Sequence, residues 1–302
     1  MIKYLERTAI DEEKYNLCIE KSLQSRLSAY TWYLDIVAEN WSVFVLEDYK
    51  AVMPICWRKK GFVKYVYPPF WVLELGVFSA EEAIDFQQFY KVLFSKFKFA
   101  ESKLNTCNNI QQKTSFLVNR QMQILELNTD ANKILKSFRK DRKKDLQKAE
   151  KVELQVKWND DPKKLIQLLK NNVGQRTPFL VEKDYSNLLQ LLTICIEKKV
   201  GEVLSICNSD NDLVASGFFL KHKNTVTILV SSTDFNFRKN GENTFLIQTA
   251  IQKYHNQYQF FNFGGSSMES IANYFLSFGA KTKEYQQIKY NNLPSLLKKI
   301  KG

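Results

Sequence analysis

From residue 152 to residue 290 the sequence switches between two hydrophobic periods in a fixed order, and that order limits the possible folds more than any other feature of the chain. β-Branched and aromatic runs predict strands at 152–158, 202–207, 213–221, 226–232, 259–263 and 284–290. Apolar residues at helical spacing predict helices at 162–173, 184–199, 242–255 and 268–278. Asp160-Asp161-Pro162 opens the first of these with side-chain acceptors and a proline whose missing N–H is not needed there. Leu188, Leu191, Leu192 and Cys195 give the second a buried stripe. Ser209-Asp210-Asn211-Asp212 and Lys223-Asn224 supply the turns of two antiparallel hairpins. The order is therefore strand, two helices, three antiparallel strands, helix, strand, helix, strand.

The preceding half reads as mixed α/β. A helix is expected over 29–39, strands over 43–46, 51–58 and 62–67, and a helix over 80–98 with Ser79 and Glu82 as its capping box. Two short strands are expected within 115–127. A long basic helix over 129–151 then joins the halves. Its stretch from Lys133 to Lys151 carries nine basic and three acidic residues, half of the net charge of +12. Ile134, Leu135, Phe138 and Ala149 give it an inner face, so its lysines either point into water or meet a polyanion such as transfer RNA or an acidic lipid surface. No aromatics alternate with them, which disfavours a platform for single-stranded nucleic acid.

Composition removes several classes of function. The five cysteines are scattered, with no Cys-x-x-Cys pair, and the two histidines, His222 and His255, are too few for a multi-histidine metal site or a Cys–His nucleophile. No metal is expected. No apolar stretch is long enough to span a bilayer, and the start Met1-Ile2-Lys3-Tyr4 has no signal-like apolar region, so a cytoplasmic protein with no integral membrane segment is expected. The positive balance favours anionic partners.

The order of elements resembles the GNAT superfamily of acyltransferases, in which the hairpin feeds a helix whose N-terminus holds the cofactor pyrophosphate. In the loop pattern Arg/Gln-x-x-Gly-x-Gly/Ala, Arg238 and Gly241 match and Asn243 departs. The resemblance implies that Arg238, Lys239, Asn240, Gly241, Glu242 and Asn243 bind an acyl-coenzyme A such as acetyl-CoA. It also implies that backbone N–H groups at Val230, Ser231 and Ser232 polarise the acyl carbonyl. Free N–H groups and a dipole at a helix start suit a diphosphate, and a glycine permits close approach. Glu242 carries the wrong charge for that task, and the same segment also reads as an ordinary strand-to-helix turn.

A second likeness is more specific. Phe260-Phe261-Asn262-Phe263-Gly264-Gly265-Ser266-Ser267, followed by Tyr274-Phe275-Leu276-Ser277-Phe278-Gly279-Ala280, resembles the Fem-type branch of that superfamily. The basic stretch from Ile134 to Glu150 is similar to the helix that opens the second Fem-type domain. Trp41, Met53-Pro54-Ile55, Tyr67-Pro68-Pro69-Phe70 and Leu75-Gly76-Val77-Phe78 also look like that group. The resemblance implies an α/β (α+β) fold of two tandem GNAT-like domains, 1–127 and 128–302. Each would have a mixed, mostly antiparallel central sheet flanked by helices.

Many GNAT enzymes protonate the leaving thiolate with a tyrosine four residues before the glycine of the last helix; counting back from Gly279 gives Phe275, which has no proton to donate. Tyr274 is adjacent, about 100° away round the helix, and is the candidate catalytic residue. Arg176, in the loop between two helices, is a candidate substrate-binding anion clamp, and Ser266 a second substrate-binding candidate. Ser266 and Ser267 also read simply as helix caps, and Glu202, Asp234 and Glu269 are acids placed near the cleft by analogy. Three functions follow: an N-acyltransferase using acyl-coenzyme A and an unspecified amine, a Fem-type peptidyltransferase using aminoacyl-transfer RNA on a cell-wall precursor, or a binding module that keeps the fold without the chemistry.

Overall fold

The computed structural model describes residues 1–108, 110, 114–265 and 268–295. It divides into two compact units, one formed by Met1–Arg120 with Glu284–Gly302 and the other by Gln121–Lys283.

The first unit contains β1 (Ile2–Glu6), α1 (Glu12–Lys21), α2 (Thr31–Val37), β2 (Asn40–Leu46), β3 (Ala51–Lys60), β4 (Val63–Val66), β5 (Phe78–Ser79), α3 (Gln87–Lys96) and β6 (Phe99–Lys103). Strands β1 to β4 form an antiparallel meander, and β6 joins β4 in parallel through Val66 and Ala100. The inner residues Phe44, Met53 and Ile55 of the meander pack on Phe89, Leu93 and Phe97 at α3. α3 begins at Gln87, later than expected, because Ser79 is not its cap. Ser79 lies in β5, donates its hydroxyl to the Lys50 carbonyl and accepts the Glu81 N–H, so it closes a turn instead.

The second unit contains β7 (Leu117–Glu126, from Gln121 onward), α4 (Ala131–Ser137), α5 (Lys140–Ala149), β8 (Gln155–Trp158), α6 (Pro162–Asn171), α7 (Glu182–Glu197), β9 (Gly201–Cys207), β10 (Leu213–His222), β11 (Thr225–Thr233), α8 (Glu242–Tyr254), β12 (Phe260–Asn262) and α9 (Glu269–Leu276). The last strand, β13 (Lys281–Asn291), pairs with β6 from Gln287 onward and so completes the first unit's sheet. In the second unit the strand order is β7-β12-β11-β10-β9-β8, antiparallel except for the contact of β11 with β12. The expected α/β class therefore holds in both units: each has a mixed, mostly antiparallel sheet with helices packed on it.

The second core forms where α8 lays Leu246, Ile247, Ala250, Ile251 and Tyr254 on Leu204, Phe219, Ile228 and Phe261. Each fully buried Leu, Ile or Phe side chain of this set contributes about 1.5–3 kcal/mol. Helices α6 and α7 pack on one another and on β9 to β11. Cys195 and Cys207 are buried core residues, and burial pushes the Cys195 thiol up to about 12, so it is inert.

The single long basic helix is not formed. It breaks at Phe138 and Arg139, both in extended backbone geometry. Phe138 turns into the core edge-to-face with Phe278, 5.1 Å away, and the Arg139 N–H donates to the Ser277 carbonyl at 2.8 Å. A tertiary contact thus overrides helical continuity.

Candidate active site

The site begins where two neighbouring strands part. β11 and β12 pair at only three positions, Thr225 with Phe260, Val226 with Phe261 and Thr227 with Asn262. The next residue, Phe263, donates its N–H to the Gln123 carbonyl at 3.0 Å and so stays with β7. β11 instead continues along β10 as far as Thr233. Gly265 turns the chain away with φ 75°, and a methyl group there would lie 2.6 Å from the Gln121 carbonyl. Within β11, Leu229 is an extra residue opposite the step from Phe218 to Phe219, which is a β-bulge. A bulge bends its strand and re-aims the groups beyond it. Val230, Ser231 and Ser232 lie directly beyond, on the stretch that no strand of the described residues covers on the β12 side. Backbone N–H groups alternate in direction along a strand, so some of this stretch point into the opening.

The chain then enters the loop before α8. Asp234 accepts the Asn236 N–H, and the buried Asn172, at the end of α6, accepts the Phe235 N–H at 2.8 Å while donating to the Leu168 carbonyl at 3.0 Å. Asn172 thereby ties the loop after α6 to the loop after β11. Between them the Phe235 ring carries two guanidiniums, Arg238 at 3.6 Å and Arg176 at 4.2 Å from its centroid. Burial lowers the Arg238 pKa, and the like charge of Arg176 lowers it further against the opposing pull of Asp234. Two exposed cations held this way repel each other, and a multivalent anion between them relieves that repulsion. Lys239 is exposed beside them.

At the start of α8 the arrangement differs from the sequence expectation in its physical reason. Gly241 has φ 87°, and a methyl group on it would lie 2.2 Å from the backbone oxygen of Asp145 in α5. Its missing side chain is thus taken up by a neighbouring helix. Glu242 is buried, and its carboxylate turns back to accept the Asn240 N–H at 3.2 Å. Arg142 of α5 donates to Thr244 Oγ1 at 2.8 Å and pairs with Asp145 at 2.9 Å. Thr244 donates to Asp145 Oδ2 at 3.2 Å, so the Tyr274 hydroxyl, 3.3 Å away, donates to Thr244 and accepts from Asn243 Nδ2 at 3.0 Å. The Arg142 guanidinium also sits 4.6 Å from the Tyr274 ring centroid. Burial raises the Tyr274 phenol pKa, more than Thr244 and Arg142 lower it, so the phenol keeps its proton at neutral pH. Phe275 stacks on Phe263 at 5.0 Å, in the core.

Arg176, Arg238 and the 230–232 stretch therefore gather at the two loops beside the strand opening, while Gly241, Asn243 and Tyr274 form a polar cluster at the first turn of α8. Ser266 lies outside the described residues. Glu202 is bonded to Lys253 at 2.5 Å and Lys221 at 3.0 Å. Lys253 is in the last turn of the 13-residue α8, so this cluster lies about 16 Å along the helix from its first residue. Glu269 opens α9. Phe235, Asn172, Arg142 and Thr244 were not singled out from sequence. Arg142 sits in the basic run, but nothing in that run separates it from its exposed neighbours. Among the described residues no group of His, Cys, Asp and Glu could hold a metal ion, and no helix is long and apolar enough to cross a membrane.

With the geometry in place, the comparisons give the fold: it is the one shared by FemX and a tandem GNAT protein among solved structures. Among solved structures it is similar to FemX, with a TM-score of 0.66 at 12% identity over 99% of this chain and 100% of that one. It is also similar to L-PGS from Bacillus licheniformis, at 0.55 and 13% identity over 96% and 95% of the two chains. A tandem GNAT protein from the clavulanic acid biosynthesis pathway matches at 0.55 and 8% identity over 98% and 100%. At such identities the likeness is one of fold. No family model matches the sequence, and no curated protein matches it either.

Proposed function

We propose that the chain is an N-acyltransferase that moves an acyl group from a phosphate-bearing donor, acyl-coenzyme A, to an amine. The observation that carries this reading is the parting of β11 from β12 at the Leu229 bulge, next to two guanidiniums bracketing Phe235. The residues fit such a donor through cations rather than through a glycine cradle. Arg238, Arg176 and Lys239 face solvent, while Glu242 is withdrawn and the space at Gly241 is filled by Asp145.

Acyl-coenzyme A, when bound, supplies the thioester to be attacked. The chain's own part is electrostatic and positional. Backbone N–H groups among Val230, Ser231 and Ser232 stabilise the negative charge that grows on the acyl oxygen. Arg176 and Arg238 hold phosphate and fix the donor's direction. Tyr274, which keeps its proton and is held by Asn243 and Thr244 at the first turn of α8, is the candidate proton donor in this reading, and donation to a departing anion requires that its O–H leave Thr244.

Isothermal titration with acetyl-coenzyme A at low salt tests the reading. Heat of binding is expected for the native chain, with at least tenfold weaker affinity after Phe235→Ala, which removes the shared platform of both arginines. Absence of heat at millimolar ligand would count decisively against coenzyme A.

A second reading has its own support. Lys133, Lys136, Lys140, Lys143, Lys144 and Lys148 are exposed on α4 and α5, whereas Arg142 turns inward. This surface suits a nucleic acid backbone, and so an aminoacyl-transfer RNA donor. A gel shift with charged transfer RNA that disappears in Lys140→Glu/Lys144→Glu would favour it over coenzyme A.

A further inference from the structure

The break at Phe138 and Arg139 folds the basic segment into two helices with a groove between them. The groove encloses about 430 Å³ and is lined by Asn132, Leu135 and Lys136 from α4, Lys143, Leu146 and Gln147 from α5, and Glu150. That volume falls in the range of small-molecule sites, about 300–1,000 Å³. Its floor is apolar, because Leu135 and Leu146 are half-buried and rest against the second core. A single helix over 129–151 would enclose no such space, since Lys136 and Lys143 would lie about two turns apart along one straight surface.

The polar groups above this floor are available to a ligand. Lys143 reaches from α5 to α4 and donates to the Lys136 carbonyl at 2.7 Å, which uses one of its three donors and leaves its charge unbalanced. Among the described residues neither Lys143 nor Lys136 is paired with a carboxylate; Asp141 serves Arg139 and Arg142, and Asp145 serves Arg142. Asn132 and Gln147 are exposed, and each side-chain amide both donates and accepts. Apolar surface, amides and cations in one groove match an adenine nucleotide. The faces of the base are apolar, its N6 and N7 edge pairs with an Asn or Gln amide, and its phosphate needs cations. Glu150 adds an acceptor for a ribose hydroxyl.

The groove also borders the donor loop. α5 is the helix whose Asp145 oxygen fills the side-chain position of Gly241, and whose Arg142 donates to Thr244. Asp145 directly precedes Leu146 of the groove floor. Arg238 is three residues before Gly241, at most about 10 Å of chain. A donor whose diphosphate is held by Arg176 and Arg238 therefore has its nucleotide beside α5.

We propose, on the basis of the acyl-coenzyme A reading, that the α4–α5 groove seats the nucleotide half of the donor. The adenine lies on Leu135 and Leu146 with its edge toward Asn132 and Gln147, and the 3′-phosphate meets Lys136 and Lys143.

Isothermal titration of the full chain tests this with acetyl-coenzyme A, acetyl-4′-phosphopantetheine (which lacks the nucleotide), adenosine 3′,5′-bisphosphate and inorganic pyrophosphate. The bisphosphate is expected to bind by itself and to resist displacement by pyrophosphate. Acetyl-coenzyme A is expected to bind at least about tenfold more tightly than acetyl-4′-phosphopantetheine. Lys136→Gln/Lys143→Gln is expected to remove that difference and leave acetyl-4′-phosphopantetheine binding as in the native chain. Lys136→Gln alone, which spares the bond from Lys143 to the 136 carbonyl, is expected to remove part of it. Both positions are exposed, so unchanged melting temperatures separate a lost contact from a lost fold. No binding of the bisphosphate, or equal affinity for the two acyl compounds, would overturn the proposal while acyl-donor binding itself stands. Displacement of the bisphosphate by pyrophosphate at equal concentration would overturn it too, and would mark the groove as a surface for a polyanion such as transfer RNA. Equal binding of the bisphosphate and acetyl-coenzyme A, with none of acetyl-4′-phosphopantetheine, would support the nucleotide site and count against the acyl-transfer reading.

Discussion

Single residues in this chain are constrained by what packs against them more than by the motif they belong to. Gly241 occupies the left-handed region with a backbone oxygen 2.2 Å from where a methyl group would sit. Gly241→Ala must therefore strain the backbone and displace α5, and a loss of about 3 kcal/mol in denaturant unfolding is expected. Glu202 makes a second, pH-dependent case. Burial alone would raise its carboxyl, but the ion pairs with Lys253 and Lys221 outweigh burial and hold it below the ordinary carboxylate range. A depressed folded pKa means that the pair contributes stability above the unfolded carboxyl value of 4.5, and that this contribution is lost as pH falls through and below it. Urea unfolding from pH 7 down to pH 3 should show that loss. Glu202→Gln should be less stable at pH 7 by about 2 kcal/mol and show a shallower acid slope.

Individual elements show where local pattern stops being sufficient. The strands and helices from β8 to α9 were legible because each has its own period and its own turn or cap, from Asp161 before α6 to the turn at Asn224 before β11. The basic segment misleads for the opposite reason. Its apolar residues keep helical spacing straight through Phe138, and only the bond from Arg139 to Ser277, far along the chain, shows that the helix must break. Ser79 fails in the same way, since its hydroxyl serves the turn beside β5. If the break at Phe138 is fixed by its packing on Phe278, Phe138→Ala should cost about 3–4 kcal/mol in thermal or denaturant unfolding, as a buried aromatic truncation does. A surface-like cost below about 0.5 kcal/mol would mean that the break is set locally.

At the scale of the whole molecule, two units repeat one device: a strand, a helix and a parallel return strand inserted in an otherwise antiparallel sheet. In the second unit the return strand parts from its neighbour after three residue pairs, and the opening coincides with a bulge, a helix start and two arginines on one ring. Arg176 and Arg238 could be chosen from sequence as anion-binding candidates, because each lies in a loop bordering the predicted cleft. Their meeting on Phe235 could not, because it depends on Asn172 reaching across 63 positions of sequence.

Whether these loops hold an activated, phosphate-bearing acyl donor is decided by ligand-dependent thermal unfolding. A ligand that binds only the native state must raise the melting temperature by mass action. A clear rise is expected with acetyl-coenzyme A for the native chain, lost in Arg176→Ala/Arg238→Ala, whose own melting temperature without ligand should be nearly unchanged. No rise at saturating ligand, or a rise that the double variant retains in full, would contradict it.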